Sequence, residues 1–142
     1  MRAISISRQK GIPKTNVPQA ELQVDHGIPG DAHAGSGLRQ VSLLAGESID
    51  SLRAEGVEIA PGDFAENITT EGVDMSTLKV GNRLKVGAEV ELELTQLGKT
   101  CHGRCKIFER LGDCIMPRQG VFARVASSGR IQVGDAIEVI HD

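Results

Sequence analysis

Between residues 78 and 97 apolar and polar side chains alternate in short runs broken by glycine. Leu78-Lys79-Val80-Gly81 leads to Asn82-Arg83-Leu84-Lys85-Val86-Gly87 and then to Val90-Glu91-Leu92-Glu93-Leu94-Thr95. A period of two places successive side chains on opposite faces of a strand and cannot form a helical stripe. Repeated short strands also raise the problem of exposed sheet edges, which closure into a barrel removes. The expected fold class is therefore mainly β with a few short helices, arranged as a closed or nearly closed β-barrel. At 142 residues the chain suits a single domain spanning 1–142 around one core. That core must be aliphatic, because Trp and Tyr are absent and the only aromatics are Phe64, Phe108 and Phe122.

The same alternation predicts strands at 3–7, 21–25, 67–70, 121–125 and 136–140, and a mostly buried strand at 39–45. Residues 46–56 have helix character, with Ile49, Leu52 and Arg53 on one face and Gly56 placed as a C-terminal cap. The phrase Lys79-Val80-Gly81-Asn82 is echoed by Gln132-Val133-Gly134-Asp135, and similar turn geometry accounts for the echo. Residues 105–111 read as one or two helical turns stopped by Gly112. The segment Gly27-Ile28-Pro29-Gly30-Asp31-Ala32-His33-Ala34-Gly35-Ser36-Gly37 holds four glycines and a proline, which permit backbone conformations that other residues resist. It reads either as a polar surface turn or as a ligand loop presenting Asp31 and His33.

All three cysteines fall within one run, at Cys101, Cys105 and Cys114, with His102 beside the first. Thiols attack, carry sulfur or ligate metals as thiolates, and neighbouring cations favour that form. Cys105 lies between Arg104 and Lys106. Two chemistries suit the run. One is a single activated thiol, carrying sulfur or ligating a soft metal. The other is a structural zinc site built from Cys101, His102, Cys105 and Cys114, although their spacing is irregular for zinc. Lys99, Arg104, Lys106, Arg110, Arg118 and Arg124 make the surrounding segment basic, either as a solvated face or as an anion site in which Arg118 offers a bidentate fork.

The whole chain carries net charge −3 with a pI near 5.8, which argues against a nucleic-acid binder. No apolar stretch approaches the ~20 residues of a spanning helix, and the N-terminus has no apolar targeting core. An odd cysteine count argues against a disulfide framework. Together these lead to the expectation of a cytoplasmic protein with neither membrane nor nucleic-acid partners.

Several segments in order resemble the MOSC domain, named for the C-terminal part of molybdenum cofactor sulfurases. They are Gly30-Asp31-Ala32-His33-Ala34-Gly35 with Arg39-Gln40-Val41-Ser42-Leu43-Leu44, then Pro61-Gly62-Asp63-Phe64-Ala65-Glu66-Asn67-Ile68-Thr69. Arg104-Cys105 and Ser128-Gly129-Arg130-Ile131-Gln132-Val133-Gly134-Asp135 follow. The resemblance implies a barrel-like β fold and work on the molybdenum cofactor (molybdopterin), as an accessory protein that binds the cofactor or carries sulfur in its maturation. By the same resemblance Cys105 is the sulfur-carrying or metal-ligating thiol, and His33, Arg39, Asn67, Arg104 and Arg118 belong to the cofactor pocket. Cys101 and Cys114 resemble those of compact stand-alone bacterial members. The implied partners are a cysteine desulfurase or other cofactor-biosynthesis proteins. Pyridoxal phosphate is not expected, because these residues leave no room for a desulfurase domain. If the chain is catalytic, sulfur transfer or molybdenum-dependent reduction of N-oxygenated compounds with a redox partner is implied.

Overall fold

The computed structural model describes residues 1–9, 12–35, 37, 39–97 and 120–140. Its strands are β1 (Ala3–Ile6), β2 (Thr15–Val17), β3 (Gln19–Leu22), β4 (Val41–Ala45), β5 (Ile68–Thr70), β6 (Arg83–Val86), β7 (Val90–Leu97), β8 (Val121–Ser127), β9 (Gly129–Gln132) and β10 (Ile137–Ile140). The fold is mainly β; among the described residues there is one short α-helix, α1 (Gly46–Ala54), and one 3-10 turn at Met75–Thr77. Eight strands form one sheet in the order β10-β6-β7-β8-β4-β5-β1-β2, and β3 pairs with β9 in a second. The β4–β5 pair is parallel and the other ladders are antiparallel.

Two continuous segments pass from one sheet to the other. Pro18 alone separates β2 from β3, and Ser128 alone separates β8 from β9. Proline has no amide donor, so the ladder that β2 makes with β1 cannot extend through residue 18. The segment bends there, and β3 pairs with β9 instead, Ala20 opposite Ile131.

Of the expected closed or nearly closed barrel, full closure by hydrogen-bonded ladders is not found among the described residues. The edge strands β10 and β2 do not pair among the described residues, and no ladder closes the sheet. The physical reason is the shortness of β2, three residues ending at a proline. The gap is bridged by individual bonds: the Met1 ammonium donates to Asp135 O at 2.7 Å, Gly134 N to Met1 O at 2.9 Å, and Val133 N to Pro18 O at 3.1 Å.

Alternation sorts the core into two layers. Inward residues of the large sheet, among them Ile4, Leu43, Ile68, Leu92, Leu94, Val121 and Val125, pack with Leu22 and Ile131 of the small sheet. The opposite face presents Leu44 and Phe122, which pack with Ile49 of α1 and with Ile59 and Phe64. Leu52 packs at the margin of this second layer, while Arg53 is exposed. Gly56 follows the helix with φ +93° and donates to Arg53 O at 3.0 Å, as its reading as a cap requires. No described helix is long and apolar enough to cross a membrane.

One turn recurs. In Lys79-Val80-Gly81-Asn82 and Gln132-Val133-Gly134-Asp135 the fourth amide donates to the first carbonyl, at 3.0 and 3.1 Å, with the glycine at φ +94° and +97°. This is type II geometry. In each, the fourth side chain also accepts from the first amide, at 2.9 Å. The echo between the two tetrapeptides is thus a shared turn. Ala60-Pro61-Gly62-Asp63 is a third copy, with Gly62 at φ +95° and Ala60 N donating to Asp63 Oδ2 at 2.9 Å. A Cβ on Gly62 would lie 2.5 Å from Lys14 O, whereas one on Gly134 meets nothing within 4 Å. Gly134→Ala should therefore cost about 1 kcal/mol of backbone strain. Gly62→Ala should cost visibly more in urea unfolding, and equal costs would show that the close approach to residue 14 is unimportant.

Candidate functional site

A fourth copy of the turn starts the glycine-rich loop, and it differs. Ile28-Pro29-Gly30-Asp31 has the same backbone, with Asp31 N donating to Ile28 O at 3.0 Å and Gly30 at φ +86°. Its carboxylate does not cap the turn. Oδ1 instead accepts from Lys14 Nζ at 2.8 Å and from Ser7 N at 3.0 Å, while Oδ2 accepts from His33 N at 3.0 Å. Lys14 Nζ also donates to Ser7 Oγ at 3.1 Å. Both side chains of the Lys14–Asp31 pair have 0% exposure. The loop is thereby pinned to the end of β1, and Ala32 N adds a bond to Ser7 O at 2.7 Å.

His33 stands against this pair. Its Nδ1 is 3.6 Å from Asp31 Oδ2, beyond hydrogen-bond length, so its pull on the carboxylate is electrostatic; 11% of the side chain remains exposed. Burial would push the Asp31 carboxyl up. The neighbouring His33, the Lys14 ammonium and the amides of Ser7 and His33 outweigh it and hold Asp31 well below the usual carboxylate range.

Arg39, from the same loop, reaches β7 and β8. Its Nε donates to Gln96 Oε1 at 3.0 Å, and its guanidinium lies 5.4 Å from the centre of the Phe122 ring. Gln96 pairs with Phe122 across a register shift in the β7–β8 ladder between Leu94 and Gln96, with Thr95 Oγ1 donating to Phe122 O at 3.1 Å. Such bulges re-aim strand ends, often beside active sites. Here the bulge lies at the base of residues 98–119, which link these two strands. Gln40 anchors the loop behind Arg39, accepting from Val125 N at 3.0 Å and donating to Gly37 O at 3.1 Å.

Asn67 lies beneath the surface at 0% exposure. Its Oδ1 accepts from Ser42 N at 2.9 Å and Ser42 Oγ at 3.1 Å, and its Nδ2 donates to Ser5 O at 3.1 Å. The amide thus joins β1 to β4 beside the start of β5. Next to it, Glu66 is fully buried, with Thr69 Oγ1 donating to Oε2 at 2.9 Å and no hydrogen-bond partner for Oε1 among the described residues. Burial pushes its carboxyl up, against the opposing amides of Gly62 and of Glu66 itself and the Thr69 hydroxyl.

The structure brings His33 and Arg39 onto one loop and Arg39 onto the strands that flank the cysteine run. Cys101, His102, Arg104, Cys105, Cys114 and Arg118 lie outside the described residues, as do the expected helical turns at 105–111. Among the described residues no three of His, Cys, Asp and Glu gather as a metal site. The sequence reading did not single out Lys14, Ser7, Glu66 or Gln96. Asp31 was named with His33 as a candidate of the glycine-rich loop, but its pairing with Lys14 needs coordinates to be seen.

Residues 30–138 match the family model described as the MOSC domain. The chain belongs to the MOSC domain family. That family is associated with molybdenum cofactor-related function. Among solved structures, the YuaD protein from Bacillus subtilis aligns over 97% of this chain and 93% of its own, at 21% identity and a TM-score of 0.78. YiiM from Geobacillus stearothermophilus aligns over 98% and 73%, at 18% identity and a TM-score of 0.72. YiiM from Escherichia coli aligns over 100% and 71%, at 18% identity and a TM-score of 0.68. At these identities the likeness establishes the MOSC fold alone. No curated protein matches this MOSC domain in sequence.

Opposite pH responses follow for the two buried acids. Asp31 has a depressed carboxyl, so its contribution is present above its ordinary value of 3.8 and lost as pH falls below it. Glu66 has a raised carboxyl, so its contribution is present below its ordinary value of 4.5 and lost as pH rises. Asp31→Asn should cost about 3 kcal/mol at pH 7 by leaving the Lys14 ammonium unbalanced, with the deficit shrinking in acid. Glu66→Gln should match wild type near pH 4 and exceed its stability at pH 8. Thermal unfolding across pH 3–8 checks both, and a Glu66→Gln deficit that grows with pH would reverse the assignment.

Proposed function

We propose that this MOSC domain binds the molybdenum cofactor or carries sulfur for its maturation, with Cys105 as the working thiol. The observation that carries this reading is the setting of Arg39. Arg2, Arg83, Arg124 and Arg130 each pair with carboxylates. Arg39 by contrast is held by a neutral amide and an aromatic face, with no carboxylate partner among the described residues. No described carboxylate offsets its positive charge, and it lies at the base of the segment that holds all three cysteines.

This donor set suits the cofactor. A planar guanidinium binds a phosphate oxyanion through paired N–H groups. With Nε engaged by Gln96, the terminal nitrogens supply that fork, and Arg104 and Arg118 would add further positive charge. A thiolate suits a soft metal centre. When bound, the cofactor supplies the redox-active metal and the sulfur atoms that hold it; the chain orients it through Arg39 and His33. In the sulfur-carrying step, the Cys105 thiolate attacks the outer sulfur of a persulfide on a cysteine desulfurase. The donor's S–S bond breaks, the desulfurase thiolate leaves, and Cys105 retains the sulfur as a persulfide. Arg104 and Lys106, its neighbours in sequence, favour the thiolate.

Purified with a desulfurase and cysteine, the protein should show one added sulfur mapped to Cys105 by mass spectrometry, or pterin and molybdenum when isolated from a host that makes the cofactor. Cys105→Ala should lose the sulfur. Equal loading of Cys105→Ala and wild type, or neither sulfur nor pterin on wild type, would refute the reading. Arg39→Ala should leave stability within about 0.5 kcal/mol, since the side chain is exposed. The same substitution should weaken pterin retention about 10-fold, the effect of losing one charge-assisted contact.

A further inference from the structure

We propose that a one-residue bulge in β7 makes Gln96 the positioning residue of an oxyanion site at Arg39: Gln96 holds Nε, and the terminal guanidinium nitrogens take a phosphate monoester. The source of that phosphate rests on the cofactor reading; the rest follows from geometry.

Register decides where Gln96 can reach. Leu92 and Leu94 lie in the core, opposite Val125 and Ala123. Strict alternation would set Gln96 opposite Val121, with its side chain in that same apolar layer. One extra residue in β7, at Thr95, changes this. Gln96 falls opposite Phe122 instead, on the other face of the sheet, where it meets Arg39. The Thr95 hydroxyl, donating to Phe122 O at 3.1 Å, fastens the bulge. Bulges re-aim the side chains beyond them. The side chain re-aimed here is the acceptor for Arg39.

The same strand holds a second arginine in a different way. Glu93 of β7 lies opposite Arg124, which donates Nε to Glu93 Oε2 and Nη1 to Asp25 Oδ1 at 3.2 Å. Both contacts are to carboxylates, so the charge of Arg124 is matched. Arg39 donates the same atom, Nε, to an amide oxygen at 3.0 Å. An amide gives direction without a countercharge. Phe122 supplies the other constraint: its ring is 1% exposed, fixed in the second apolar layer, and 5.4 Å from the guanidinium. Held at Nε and against one face, the group keeps its terminal edge, from which no group accepts among the described residues. Paired N–H groups on that edge match two oxygens of a phosphate. A side chain ordered in advance also loses less freedom on binding.

The 15N-labelled full chain is titrated with inorganic phosphate, chloride holding the ionic strength constant. The Arg39 Nε–H signal, assigned by its absence in Arg39→Lys, should shift saturably in wild type. Gln96→Leu removes the acceptor without adding charge and should weaken phosphate binding about 5-fold, the effect of freeing one long side chain. Gln96→Glu keeps an acceptor for Nε but cancels the charge, and should weaken it about 10-fold. No saturable shift in wild type, or a Gln96→Leu or Gln96→Glu protein that binds phosphate as tightly as wild type, overturns the proposal. So does a lowered melting temperature with unchanged phosphate affinity, since that is what a purely structural bond gives. Gln96→Glu is close to glutamine in shape, so its arm stands even if Gln96→Leu does not fold. The expected order of phosphate affinities, with no pterin on wild type isolated from a host that makes the cofactor, would uphold the oxyanion site and sink the cofactor reading instead.

Discussion

An ammonium and a carboxylate with no solvent contact must be held together or the fold is penalised heavily. Lys14 and Asp31 come from segments 17 positions apart, and their contact fixes three things at once. It sets the path of residues 12–15 into β2, it docks the glycine-rich loop on the end of β1, and it places His33 beside a carboxylate whose charge is already balanced. The close approach of Gly62 to Lys14 O, where Lys14 N also donates to Gly62 O at 2.7 Å, adds the central turn to the same knot. The segments 30–35 and 61–69 that resemble the MOSC pattern are thus tied to residue 14, through Asp31 and through Gly62.

A polar seam runs through the large sheet beside this knot. Ser5, Ser42, Asn67 and Thr69 are all fully buried. Asn16 Nδ2 extends the seam, donating to Ser5 Oγ at 2.7 Å and to Pro61 O at 2.9 Å. An apolar residue at position 67 would leave Ser42 N and Ser5 O to other partners and weaken the register between β1, β5 and β4. Buried polar groups that satisfy one another select one alignment among many apolar ones. Asn67 was grouped with the pocket by resemblance; its side chain is engaged in this seam, and any effect it has on a ligand passes through strand position. Glu66, with one oxygen satisfied and one not, is the member that weakens the seam as pH rises.

The strands β1, β4, β6, β7, β8 and β10 were legible for different reasons: β6 and β7 alternate between buried and more exposed residues, β1, β4 and β8 are buried over most of their length, and β10 alternates in its sequence. β2 and β9 were not. Thr15-Asn16-Val17 is exposed on two of its three residues, and in β9 only Ile131 is fully buried, so neither carries a period. The strand expected at 21–25 ends at Leu22, because Gln23 turns back to bridge Gly27. Pro18 was the signal for the sheet switch, but a proline between polar residues reads equally well as a loop. In the site, His33 and Arg39 stood out through loop composition and resemblance. Lys14 could not, since a lysine after Gly-Ile-Pro has the local pattern of an exposed turn. Its burial depends on an acid brought up by tertiary structure.

The division of labour between the two cations of the site follows from their partners. Lys14 is matched by a carboxylate, so its charge is spent inside the fold and serves geometry. Arg39 is matched by an amide oxygen and an aromatic face, which orient a guanidinium without cancelling it. Among the described residues no carboxylate offsets Arg39, which stands at the base of residues 98–119.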